Sequence, residues 1–84
     1  MIYLDEDFNK IAGSVLKKHR ENKKYSLADL AKKINYKVSR QTLSKYELSI
    51  IRLKRDVFEE ICKALEISPQ EFLNEVNEIL KNRK

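Results

Sequence analysis

The sequence predicts an all-α fold, a compact five-helix bundle, and three observations carry that prediction. The chain of 84 residues holds one Gly and one Pro, too few for a sheet with tight turns. Its apolar residues recur at spacings of three and four rather than alternating, the period of helices with one buried face. Three stretches also repeat a Ser-led helix start: Tyr25-Ser26 with Asp29-Leu30, Val38-Ser39 with Leu43, and Ile67-Ser68-Pro69 with Glu71-Phe72. An apolar content of 42% suits one small core, so residues 1–84 read as a single domain, with 1–7 as an N-terminal arm and 69–82 as an extended C-terminal helix.

Ile2, Tyr3 and Leu4 precede an acidic run, Asp5-Glu6-Asp7, which suits the positive end of a helix dipole. Phe8, Ile11, Ala12, Val15, Leu16 and His19 then recur at helical spacing and predict a first helix over 6–22. His19 ends this stripe without a second His or Cys nearby, so no metal role is expected of it. Asn22-Lys23-Lys24 breaks the pattern, and Ser26 is placed to cap a second helix over 27–34, with Asp29 returning the hydrogen bond and Tyr25 folding over Leu30. The same layout opens a third helix over 40–48 and a fifth over 69–81, while Leu53, Val57, Phe58, Ile61, Cys62 and Leu65 define a fourth over 54–65.

The fifth helix carries more apolar surface than a minimal core requires: Phe72, Leu73, Val76, Ile79 and Leu80. This surplus packs either on the first helix and the Ile2-Tyr3-Leu4 arm, or on the same helix of a second subunit. Val76, Ile79 and Leu80 are therefore candidates for a dimer interface. So are Ile50 and Ile51, apolar for a connection, although plugging the core is the first reading for those two.

Charge is unevenly distributed. Residues 10–55 hold 14 Lys or Arg against three acids, a net of +11, whereas 1–9 and 56–84 are each at −3. A basic middle between acidic flanks is the electrostatic footprint of a nucleic-acid binder; a lysine-rich solubilising surface seldom leaves both flanks acidic. No apolar run approaches the roughly 18 residues needed to span a membrane, and no basic-then-apolar export signal opens the chain, so a cytoplasmic protein is expected. The single Cys62 falls in an apolar helical pattern and reads as a small buried hydrophobe. One His, one Cys and no Gly-rich phosphate loop leave nothing for catalysis, so the chain is not read as an enzyme, and no cofactor or metal is expected. Exposed aromatics for stacking RNA bases are scarce.

The second and third helices are where this charge becomes specific. At about 100° per residue, Leu43, Tyr46, Glu47 and Ile50 fall on one arc of the third helix, and Arg40, Gln41, Ser44, Lys45 and Leu48 on the other. One arc can pack on a core while the other points outward with the residue types that match purine edges in the major groove. An ordinary solvated face would be polar as well.

In order along the chain, Leu16, Arg20, Ser26, Leu30-Ala31, Val38-Ser39, Thr42-Leu43-Ser44, Glu47, Phe58, Ala64-Leu65 and Ile67-Ser68 resemble the helix-turn-helix repressors of the phage lambda and Xre type. The resemblance covers about residues 8–75. It implies that the second helix braces the third, which enters the major groove, and that the chain regulates transcription as a dimer on an inverted-repeat operator, in a phage, plasmid or bacterial setting. It implies base-reading positions for Arg40, Gln41 and Lys45, with Thr42 and Ser44 at or beside them, and an internal Arg20–Glu47 pair that orients the reading helix. Ser26, Lys32, Lys33, Lys37, Ser39, Arg52, Lys54 and Arg55 fall where contacts to the DNA backbone are expected.

The chain departs from the family pattern at three places. The turn is longer by about two residues, with Asn35-Tyr36-Lys37 where a single Gly is usual, and Asn35 is the residue expected to supply the left-handed conformation. Leu27 stands where a phosphate-holding Gln is common, and Ser49 where a Gly commonly follows the Glu by two. The leading expectation is a sequence-specific regulator of double-stranded DNA, of repressor type. The alternative is a protein-interaction module, an antirepressor, repression modulator or antitoxin that presents the same fold to a partner repressor or toxin.

Overall fold

The computed structural model describes residues 6–82, which form five helices: α1 (Glu6–Asn22), α2 (Leu27–Lys33), α3 (Arg40–Glu47), α4 (Arg55–Leu65) and α5 (Pro69–Asn82). Among the described residues there is no strand. The predicted arm over Ile2-Tyr3-Leu4 lies outside the described residues.

Helix starts follow the local chemistry of the Ser residues. The Ser26 hydroxyl accepts from the Asp29 amide at 3.0 Å while the Ser26 amide donates to the Asp29 carboxylate at 2.9 Å, a closed capping box. Ser68 and Glu71 repeat it at 3.0 and 3.3 Å. At α3 the third helical residue is Thr42, so Ser39 caps with its hydroxyl alone, accepting from the Thr42 amide at 3.2 Å.

Helix ends follow a rule that the sequence conceals. After α1, α2, α3 and α4 the chain enters the left-handed region at Lys24, Asn35, Ser49 and Glu66, none of them Gly. Each end closes with a backbone bond spanning five residues: Tyr25 to Arg20, Tyr36 to Ala31, Ile50 to Lys45 and Ile67 to Cys62. Asn35 is left-handed as its short polar side chain allows, and Tyr36 beside it is left-handed too, at φ 56. The left-handed Ser49 stops α3 at Glu47, one residue before the predicted end. Because the helical period no longer applies beyond it, Ile50 is not on the inner arc: it is 63% exposed and Ile51 is 38% exposed, so neither plugs the core.

The core is a single cluster to which every helix contributes, with Leu16, Leu30, Leu43, Ile61, Phe72 and Val76 essentially sealed from solvent. Each such side chain contributes about 1.5–3 kcal/mol by leaving water. Phe58 meets Phe72 edge-on with ring centroids 5.0 Å apart, which fixes α4 against α5. The long apolar set of α5 is largely used inside the chain, where α5 packs on α1. Val76 is fully buried and Leu80 is packed against the core, so Val76 cannot belong to a surface that a second subunit touches. Across the α1–α5 seam, Glu75 pairs with Lys18 and takes His19 Nε2 at 2.8 Å, an arrangement with no local sequence signal. Cys62 is buried, and the loss of solvent pushes its thiol up to about 11, which leaves it inert at neutral pH.

Candidate nucleic-acid interface

The inner side of α3 is fixed first, and the outer side is what remains. Leu43 is sealed and Tyr46 is 4% exposed, both facing the core; burial raises the Tyr46 phenol above its ordinary value, so the ring stays neutral. The carboxylate of Glu47 is held by Arg20 through two parallel bonds, Nε to Oε2 at 2.6 Å and Nη2 to Oε1 at 3.1 Å, while Nη1 donates to the Tyr25 carbonyl at 2.7 Å. This fork engages all three guanidinium nitrogens, and donating to the Glu47 carboxylate holds Arg20 above the ordinary arginine value. The contact ties the end of α1 and the start of the α2 segment to the last turn of α3.

A second fixation was not apparent from the residue pattern. Gly13, the only glycine, lies in the middle of α1 beneath the end of α3, where an added Cβ would stand 2.5 Å from the Glu47 carbonyl and 2.8 Å from that of Tyr46. Beside it the Ser49 hydroxyl donates to the Asn9 carbonyl at 2.8 Å. The C-terminal end of α3 therefore rests directly on the backbone of α1, a close contact that adds to the side-chain fork in fixing its axis.

On the outer side, Arg40, Gln41 and Lys45 are exposed, and their side chains have no hydrogen-bond or ion-pair partner among the described residues. Thr42 and Ser44 beside them are half-buried, and the Thr42 hydroxyl lies 3.2 Å from that of Ser39. The first turn of α3 carries no acid, in contrast to the first turns of α2, α4 and α5, so its positive dipole end is uncompensated. The cations Lys32 and Lys33 of α2, Lys37 of the turn before α3, and Arg52, Lys54 and Arg55 of the segment between α3 and α4 and the start of α4 are all exposed. Two of them are already engaged: Lys33 lies 5.4 Å over the Tyr25 ring, and Lys37 is 3.6 Å from the Asp56 carboxylate. Ser26 and Ser39 spend their hydroxyl acceptors as helix caps. Leu27 is half-buried against the core, a packing role in place of a polar one.

A family model described as helix-turn-helix matches residues 16–72, a span that starts within α1 and ends in α5. The chain belongs to the helix-turn-helix family. As in the lambda- and Xre-type members of that family, α2 and α3 form its two-helix unit, here joined by the turn over 34–39. Among solved structures, this helix-turn-helix protein is similar to the clp gene regulator ClgR from C. glutamicum, at 26% identity and a TM-score of 0.75, with 83% of this chain and 87% of that chain covered. No curated protein matches the chain.

Among the described residues no group of three or more His, Cys, Asp or Glu side chains is arranged to hold a metal ion, and no helix is long and apolar enough to cross a membrane.

Proposed function

We propose that this chain is a sequence-specific repressor that occupies operator DNA with α3 in the major groove. The coarse part rests on family: a helix-turn-helix protein of this type is a DNA-binding transcriptional regulator. The finer part rests on one observation above the others, that Arg40, Gln41 and Lys45 stand exposed and unpaired on a helix whose opposite side is locked by Leu43, Tyr46 and the Arg20–Glu47 fork. Arg40 has the fork that reads guanine and Gln41 the donor and acceptor that read adenine, with Lys45, Thr42 and Ser44 completing the reading face. Lys32, Arg52, Lys54 and Arg55 neutralise phosphates and set affinity, joined by Lys33 and Lys37 once they leave Tyr25 and Asp56. Ser26 and Ser39 sit at helix N-termini, where a phosphate meets backbone amides.

Dimeric binding belongs to the same proposal. Ile50, Ile51 and Ile79 are exposed apolar residues and Leu80 is half-buried next to Ile79, so both the loop after α3 and the end of α5 offer apolar contacts to a second copy. Selection from randomised duplex DNA at about 0.15 M salt, where distant phosphate attraction is screened, tests both parts. Enrichment of an inverted repeat with half-site centres roughly 34 Å apart, or a multiple of that, supports reader and dimer together; a single half-site supports the reader alone. No enrichment rejects the reading of DNA by α3.

The second reading is a protein-interaction module, an antirepressor, modulator or antitoxin. The observation favouring it is the exposed apolar run Leu48, Ile50 and Ile51 at the end of α3. Titration calorimetry against a candidate protein encoded beside this one separates the two.

A further inference from the structure

The turn between α2 and α3 holds a bulky side chain at a backbone angle that such residues avoid. Asn35 and Tyr36 are consecutive left-handed residues, each at φ 56. Asn35 is explained by its place as the residue that ends α2, a position Asn tolerates. Tyr36 has no such explanation. Its Cβ crowds the neighbouring backbone at this φ, where a Gly would sit without strain. The fold gains no packing in exchange: Tyr36 is 68% exposed and is not among the apolar residues packed on the core. Its hydrogen bond among the described residues is that of the backbone amide, to the Ala31 carbonyl at 2.8 Å, which any residue but Pro would make. Such strain clusters at ligand-contacting segments, and what separates Tyr36 from the equally left-handed and exposed Lys24 is its place beside the cap of α3.

The surroundings restrict what that is. Tyr36 stands three residues before Ser39, the cap of α3, in a stretch of sequence from 30 to 46 that contains Lys32, Lys33, Lys37, Arg40 and Lys45 and no acid, the nearby Asp56 of α4 being paired with Lys37. An anion is the natural partner, and a phenol can donate one hydrogen bond to it. We propose that Tyr36 contacts the DNA backbone, its hydroxyl donating to a phosphate oxygen at the border of the half-site read by Arg40 and Gln41, and so fixes how α3 enters the groove. This rests on the reading role of α3 proposed above. A neutral hydroxyl displaces no condensed counterion, so the contact adds affinity and register without adding to the salt dependence.

The test compares Tyr36→Phe and Tyr36→Gly with wild type on the selected duplex across about 0.05–0.2 M salt. Tyr36→Phe removes the donor alone and is expected to bind roughly tenfold more weakly with an unchanged salt slope. Tyr36→Gly relaxes the backbone and removes the ring: its melting temperature rises by about 4–8 °C, while its affinity falls at least as far as that of Tyr36→Phe. Stability and affinity then move in opposite directions, which a purely structural residue does not do. Wild-type affinity in both variants overturns the assignment and leaves the α3 reading intact, provided Arg40→Ala still loses discrimination on the same duplex. A less stable Tyr36→Gly protein also overturns it, because the strain premise is then wrong. A wild-type chain that enriches no duplex overturns both proposals.

Discussion

Gly13 of α1 lies directly beneath the Glu47 carbonyl at the end of α3, with only 2.5 Å between that oxygen and the position a Cβ would take. Two effects compete when Ala replaces it. Ala gains about 1 kcal/mol of helix propensity, whereas forcing α3 away from α1 costs about 1–3 kcal/mol, at the upper end here because the obstructing atoms include two backbone oxygens. Gly13→Ala is therefore expected to lower the melting temperature despite its better propensity, and to weaken DNA binding by tilting α3. A rise in melting temperature would show that α1 and α3 are not held so closely.

The Arg20–Glu47 fork is almost dry, with side chains 11% and 5% exposed. Removing one partner leaves the other charge buried, at a cost of about 3–5 kcal/mol. Arg20→Ala and Glu47→Ala should each approach that loss in denaturant titrations, and the double variant should lose far less than the sum of the two. Arg20→Lys, which keeps charge but not the planar fork, should recover only part of the stability. Additive losses would mean that the pair does not couple the helices.

Lys24 and Ser49 share the left-handed angle but not its consequences. Lys24 is exposed at φ 62 and its side chain makes no hydrogen bond or ion pair among the described residues, so Lys24→Gly is expected to stabilise by about 1 kcal/mol. Ser49, at φ 61, also donates to the Asn9 carbonyl, a bond with a net contribution of about 1 kcal/mol. Ser49→Gly should therefore be close to neutral. Paired thermal melts distinguish the two, and equal gains would remove the Ser49–Asn9 bond from the account.

Acid should open the α1–α5 seam. Partial burial pushes the Glu75 carboxyl up, but hydrogen bonds from Lys18 and His19 outweigh it and hold the group below the ordinary glutamate range. A carboxyl with a lowered folded value contributes its full stabilisation above the unfolded value, about pH 4.3, and loses it as the pH falls through the folded one. Denaturation midpoints of the wild type should therefore fall below about pH 4.3 more steeply than those of Glu75→Gln, the two differing most at neutral pH and converging in acid. Parallel curves would remove Glu75 from the acid response.

Reading and anchoring residues should separate by salt. Arg40→Ala or Gln41→Ala should forfeit about 1–3 kcal/mol of discrimination between operator and random duplex while non-specific binding changes less. Arg52→Ala or Lys32→Ala should weaken binding to every duplex and reduce the salt slope by about 1. Unchanged discrimination in both reading variants would mean that another face meets the bases.

Local signals in the chain were the legible ones. Ser26 with Asp29 and Ser68 with Glu71 announce helix starts because a cap is completed within three residues. Helix ends were harder to read, since the residues that turn left-handed are Lys24, Asn35, Ser49 and Glu66 rather than Gly, and a helical period carried past Ser49 puts Ile50 on the wrong side. The outward set Arg40, Gln41 and Lys45 could be read from the period alone, because it lies within one uninterrupted helix. Val76 could not be assigned from its own helix: an apolar stripe has the same pattern whether it meets α1 or another subunit.

By itself the sequence determined the helical class, the order of five helices, the basic middle of the chain and the face of α3 that is free to meet a ligand. All of these depend on residues a few positions apart, where propensity, capping and periodicity act. Only the tertiary structure decided that Gly13 is a contact point rather than a tolerated weakness in α1, that His19 and Lys18 share Glu75, and that Ile50 and Ile51 stay outside. These depend on which helix lies against which, and residues 56 positions apart, such as His19 and Glu75, have no local rule connecting them until the core brings their helices together.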